Sequence, residues 1–104
     1  EQFVVLLAEA ADRQAGYGVL NIDEARIDAV FVKPGDAGQG LGSSLVSQLE
    51  TRARMMGLDK LTVISSLNAE PFYESLGYEP YDDRIRTIDD TNLEFVAVEK
   101  NFDE

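Results

Sequence analysis

Val30-Phe31-Val32-Lys33-Pro34-Gly35-Asp36-Ala37-Gly38-Gln39-Gly40-Leu41-Gly42-Ser43-Ser44-Leu45 decides how the rest of the chain is read. An apolar run of strand composition enters Pro34, glycines follow at positions 38, 40 and 42, and an amphipathic pattern begins at Leu41. A strand, a glycine loop and a helix start in that order turn backbone N–H groups and the positive end of a helix toward one point. Such a point suits a phosphate, and glycine lets the backbone come close and take positive φ. The spacing excludes two common phosphate loops. No Lys follows a glycine as G-x-x-x-x-G-K-[ST] requires, and the glycines fall one residue short of G-x-G-x-x-G.

On the C-terminal side, apolar residues recur at Leu45, Val46, Leu49, Ala53 and Met56, and Gly57 stops them, which predicts a helix. Leu61-Thr62-Val63-Ile64 predicts a buried strand. In Ala69-Glu70-Pro71-Phe72-Tyr73-Glu74-Ser75-Leu76-Gly77-Tyr78, Pro71 suits the first turn of a short helix and Gly77 its C-terminal cap. Two strand-like stretches follow, 78–88 and 93–102, joined by a turn at Asp89-Asp90-Thr91-Asn92. On the N-terminal side, residues 3–8, 15–22 and 25–33 read as strands, with a polar turn at Asp12-Arg13-Gln14. Their short connections predict antiparallel neighbours. The order is β-β-β-α-β-α-β-β, an α/β (α+β) fold with a mixed, mostly antiparallel central sheet flanked by helices, in a single domain over 1–104.

The chain of 104 residues is 44% hydrophobic, enough for one core. It has no Cys and no His, so thiol nucleophiles, disulfides, the commonest catalytic base and the commonest zinc ligand are all missing, and no metal site is expected. Without a membrane-length apolar run or a signal peptide, a soluble cytoplasmic protein is expected. The net charge of −11 is unevenly spread. Residues 1–30 carry six acids and two bases, 31–78 five acids and four bases, and 79–104 nine acids and three bases. The phosphate-loop segment is therefore nearly neutral between acidic flanks, which suits an anionic cofactor and, at the flanks, a cationic amine. No basic stripe exists for nucleic acid.

The glycine pattern, with Val-x-Pro upstream, resembles the acyl-CoA loop of the GCN5-related N-acetyltransferases (GNAT), R/Q-x-x-G-x-G/A, falling on Ala37, Gly40 and Gly42. Ala37 departs from it. Residues 69–78 resemble the family's second signature, A-x-x-F-Y-E-x-x-G-F/Y, in the family's order and spacing. The resemblance implies acetyl-CoA as co-substrate, direct attack by a primary amine in a ternary complex, and an acceptor that is a small molecule or peptide. A non-catalytic acyl-CoA-binding module of the same fold is the alternative. Two splayed strands would hold the pantetheine arm, with backbone groups of Val30, Phe31 and Val32 along it. Gly38, Gln39, Gly40, Leu41, Gly42 and Ser43 would face the phosphates, with Lys33 a further candidate there.

By the same resemblance Tyr73 is the general acid, since a phenol is protonated at neutral pH and can donate to a departing thiolate. Asn68 either contacts the pantetheine arm or caps the short helix. Arg26 stands where many members carry a basic Glu, and Asp28, on the same strand face, is the candidate base. Members of the family open with a further strand and helices that nothing before Phe3 supplies. The expectation is that a preceding segment or a partner chain completes the acceptor side, or that acceptor binding is rudimentary, and that the chain forms a homodimer.

Overall fold

Alternating or wholly apolar runs separated by tight turns produce six strands, and two helical patterns produce two helices. A computed structural model describes residues 2–88 and 93–102, with side chains for 2–81 and 95–102. The elements are β1 (Phe3–Ala10), β2 (Arg13–Asn21), β3 (Arg26–Val32), α1 (Leu41–Met55), β4 (Lys60–Ser66), α2 (Glu70–Ser75), β5 (Glu79–Ile88) and β6 (Leu93–Asn101), in the expected order. They form one sheet, β1-β2-β3-β4-β6-β5. Every neighbouring pair is antiparallel except β3 and β4. That pair is parallel because α1 carries the chain back along the sheet between them, as a parallel crossover requires. The expected turn at 89–92 lies outside the described residues.

The β1–β2 connection is tighter than its polar residues suggest. It is a two-residue loop, Ala11-Asp12, with φ of 53° and 68°, while Arg13 and Gln14 already pair with Ala10 and Glu9. Positive φ at both loop residues matches the twist of a hairpin. Ala at such a position carries no turn signal, so the sequence places the turn one residue late. Gly16 is glycine because a Cβ there would collide with the Phe31 carbonyl oxygen on β3. At the other end of the chain's helical part, Gly77 takes φ 98°. Its amide donates to the Glu74 carbonyl, and the Tyr78 amide donates to the Tyr73 carbonyl, so α2 closes with a Schellman motif.

The core lies on one face of the sheet. Leu20, Ile27, Leu61, Val63, Val96 and Val98 meet Val46, Leu49 and Ala53 of α1 and Tyr73 of α2 in a single apolar cluster. Met56, expected on the same helical stripe, is the residue that caps α1 and is exposed, so Ala53 is the last buried position of that stripe. The helices leave the opposite face bare. Along β1, Val4 and Leu6 pack on the core while Phe3, Val5 and Leu7 are 49%, 59% and 62% exposed. β4 therefore alternates instead of being buried throughout: Leu61 and Val63 point inward and Ile64 is exposed. A period of two along a strand makes this the necessary result of covering one side only.

Candidate functional site

The glycine segment begins with a single 3-10 turn at Pro34–Asp36 and ends at Gly40, the N-cap of α1. Gly38 and Gly40 both sit in the left-handed region, with φ of 84° and 79°. A Cβ built on either meets nothing within 4 Å, so backbone conformation bars a side chain there and the space in front of the loop stays open. The first bond of the helix runs from the Ser44 amide to the Gly40 carbonyl at 3.0 Å. Among the described residues, nothing accepts a hydrogen bond from the amides of residues 38–43. Gly38, Gln39, Gly40, Leu41, Gly42 and Ser43 thus present consecutive unpaired donors at the positive end of a fifteen-residue helix. Val32, Ala37, Gly38, Gly40, Gly42 and Phe72 line a cavity of about 310 Å³ in front of them. Gly42 serves a second purpose. A Cβ there would press the Phe72 ring at 3.3 Å, so the missing side chain lets α2 lie against the start of α1. Lys33 is exposed at the loop's entry, without an ion pair among the described residues.

A slot leads away from this loop. β3 and β4 share only two register pairs, Arg26 with Thr62 and Ile27 with Val63, and the Thr62 amide donates to the Ala25 carbonyl at 3.0 Å. Beyond them, residues 28–32 of β3 and 64–66 of β4 do not pair with each other. On the β2 side the Lys33 amide donates to the Ala15 carbonyl at 2.7 Å. Antiparallel pairing alternates along that register, so Lys33, Phe31 and Ala29 turn their backbone groups toward β2, and Val30 and Val32 turn theirs toward the slot. The structure thereby separates Phe31 from its two neighbours: its backbone faces β2, and its ring lies 5.6 Å from Tyr17 on the bare face.

α2 follows β4 at the open end of the slot and carries Tyr73. The ring is packed edge-on between Phe72 and Tyr78, at centroid distances of 5.0 and 5.8 Å. Burial pushes its phenol above the ordinary value of 10.0. Among the described residues its hydroxyl has no hydrogen-bond partner. Tyr78 is the contrast. Its hydroxyl donates to Glu50 Oε2 at 2.8 Å, and Lys100 holds the same carboxylate at 3.2 Å while donating to the Leu76 carbonyl at 2.9 Å. Burial, then the bond to Glu50 and its charge, push Tyr78 far up, and it is committed to that network. Of the two tyrosines, Tyr73 is the one with a donor to spare.

Asn68 is exposed in the turn before α2, and Ala69, not Asn68, is the N-cap residue, without any side-chain capping bond. The turn is held instead by the Ala69 amide on Ser66 Oγ at 3.2 Å. Asp28 lies just past the last β3–β4 pair. Its Oδ1 accepts from Arg26 Nε at 2.6 Å, the two side chains sharing a strand face as their spacing requires. Sequence reasoning missed two features here. One is the Glu50–Tyr78–Lys100 network. The other is the pair Arg13–Asp36, in which a buried carboxylate beside the loop accepts two guanidinium N–H groups from the start of β2. The partners stand 23 residues apart in the latter, and no local pattern marks either.

The relatives are consistent with this geometry. An acetyltransferase of unassigned substrate from Streptococcus pyogenes serotype M1 is 40% identical over 58 residues, 56% of this chain and 41% of its own length. The chain thus spans about two fifths of the curated relatives it matches. A GCN5-related N-acetyltransferase from Rhodopseudomonas palustris superposes with a TM-score of 0.86 at 27% identity, over 95% of this chain and 61% of that one. A GNAT-family acetyltransferase from Elizabethkingia anophelis, solved with acetyl-CoA bound, shares the fold with a TM-score of 0.76 at 16% identity, over 93% of this chain and 74% of that one. The model of the acetyltransferase (GNAT) domain matches residues 1–101, and the chain belongs to that family.

Proposed function

We propose that the chain is an acetyl-CoA-dependent N-acetyltransferase that passes the acetyl group to a primary amine by direct attack in a ternary complex. The carrying observation is the slot between β3 and β4, which opens from two paired positions toward six unpaired amides and is followed in the chain by α2, the helix that carries Tyr73. The residues fit acetyl-CoA. An extended pantetheine arm can take the place of a strand beside Val30 and Val32, where backbone donors and acceptors face a gap. A pyrophosphate can accept from residues 38–43, with Lys33 at the rim and Asn68 at the arm. The cofactor supplies the activated acyl group as a thioester.

The protein's share of the chemistry follows. The amine nitrogen attacks the thioester carbonyl, whose developing negative charge is met by backbone N–H groups of the splayed β3 strand. As the C–N bond forms and the C–S bond breaks, Tyr73 gives its phenolic proton to the departing sulfur. The proton lost by the amine goes to Asp28 or to water. The acidic segments on either side of the loop draw a cationic amine toward the site. Homodimer formation through the edge strand β1 belongs to the same proposal.

One observation favours a second reading, an acyl-CoA-binding module without turnover: Ala37 offers no cationic or amide side chain where the family loop has Arg or Gln. Acetyl-CoA incubated with a panel of small amines and peptides, followed by free-thiol release, decides between them. Amine-dependent thiol release is expected. Binding without release points to the module, and absence of binding overturns both.

A further inference from the structure

Asp36 is an unusual residue to find beside an anion site. It ends the 3-10 turn two residues before Gly38, and its side chain is only 2% exposed. A buried carboxylate next to a phosphate loop repels the ligand unless its charge is matched. Arg13 matches it from outside: Nη2 donates to Oδ1 at 2.6 Å and Nη1 to Oδ2 at 2.9 Å, a two-point bond that fixes orientation as well as distance. Arg13 is 55% exposed and opens β2 just after the tight turn at Ala11-Asp12. Two backbone bonds stitch the same region, from the Lys33 amide to the Ala15 carbonyl at 2.7 Å and from the Asp36 amide to the Lys33 carbonyl at 2.8 Å. Among the described residues, no backbone amide of the loop is hydrogen-bonded between Ala37 and Ser44.

We propose that Arg13 and Asp36 form a latch that holds the loop's unpaired amides in anion-binding geometry, making Arg13 a positioning residue for acyl-CoA although it lies on the β1–β2 hairpin. The latch compensates for Ala37. With no cation at position 37 and only Lys33 at the rim, the loop depends on its backbone donors being aimed before the ligand arrives, since ordering them on binding subtracts from affinity. The inference rests on the acyl-CoA reading of the site. It also predicts which part of the cofactor senses the latch: the pyrophosphate, held by the loop, and not the acetyl-pantetheine arm, held by β3.

The test compares acetyl-CoA with S-acetylpantetheine, which lacks the pyrophosphate, in wild type, Arg13→Gln and Arg13→Lys. Arg13→Gln is expected to raise the acetyl-CoA KM and Kd about tenfold or more while kcat at saturation holds, as a misaimed binding loop does. Arg13→Lys, which keeps the charge but not the two-point bond, falls between. kcat/KM for S-acetylpantetheine is expected to be the same in all three. If Arg13→Gln binds acetyl-CoA within about twofold of wild type, or loses both substrates in proportion, the latch is refuted. The second result marks general destabilisation, which Arg13→Lys and the melting temperature register independently. Wild-type protein that binds neither CoA nor acetyl-CoA overturns the functional reading, and the latch with it.

Discussion

Two tyrosines five residues apart occupy opposite electrostatic situations, and each makes a measurable prediction. Tyr73 has no hydrogen-bond partner among the described residues and a phenol raised by burial, so it stays protonated at neutral pH. Tyr73→Phe should lower kcat by about 10²–10⁴-fold and change acetyl-CoA affinity little, because the hydroxyl matters only as charge develops on sulfur. Unchanged turnover in steady-state kinetics makes Tyr73 a packing residue. Tyr78 bears on stability. Its phenol is raised in the folded chain, whereas in the unfolded chain it ionises near about pH 10. The contribution is therefore complete below about pH 10 and drains away as pH rises past it, at up to about 1.4 kcal/mol per pH unit. Tyr78→Phe should be less stable at neutral pH by about 1–3 kcal/mol, because Glu50 loses a buried donor. It should also decline less steeply than wild type above about pH 10. Urea melts across that range check it, and parallel declines sink the assignment. The F-Y pair is what marks Tyr73 as a candidate in the sequence. The commitment of Tyr78 to Glu50 and Lys100 was not legible there, since a partner 28 residues away leaves no local trace.

At the scale of elements, the sequence was most readable where covalent geometry dictates local form. Gly38, Gly40 and Gly77 each occupy left-handed conformations that few other residues tolerate, Pro34 presets φ at the start of the 3-10 turn, and the loop and the end of α2 lie where those residues put them. It was least readable where an ordinary residue adopts an uncommon conformation. Ala11 at φ 53° is the example, and it shifted the hairpin turn by one residue. Burial was half legible: the apolar stripe of α1 and the strand character of β4 were plain, but which side of β4 the helices cover is a property of the assembled sheet. The loop carries the prediction at this scale. Acetyl-CoA at about a hundred times its Kd should stabilise the wild-type fold by about 2.7 kcal/mol, a melting shift on the order of 10 °C. Gly40→Val should show no shift, because its side chain strains φ 79° and fills the space left for the ligand. Differential scanning fluorimetry with CoA and acetyl-CoA measures both, and an equal shift in the variant removes the loop from the binding site.

At the scale of the whole sheet, the described residues form a covered face and a bare one, with β1 at the border. β1 is an edge of the sheet, and between Phe3 and Ala8 it carries neither charge nor Pro. Edges of that kind pair with whatever strand fits them. A second copy related by a two-fold axis presents the same uncharged run in antiparallel register, whereas the net charge of −11 opposes indiscriminate association. Light scattering at micromolar concentration should report a dimer, and Leu7→Lys, which places a charge on the exposed side of the edge, should report a monomer. A monomeric wild type refutes the pairing. No described helix is long and apolar enough to cross a membrane.

The seam between β3 and β4 divides the chain in a further sense. On one side lie β1, β2 and β3, all within residues 3–32, and on the other β4, α2, β5 and β6, all within 60–101. Each leaf is contiguous in sequence, the first pairing strands in chain order and the second setting β6 between β4 and β5, so each can form without waiting for the other. Between them stand two register pairs and the span of α1. Amide exchange is expected to be faster at the seam than within either half, and hydrogen-exchange measurement checks it. A ligand whose own backbone-like arm fills the gap then does more than occupy a site: it supplies the missing rungs of the ladder and turns two cooperative units into one.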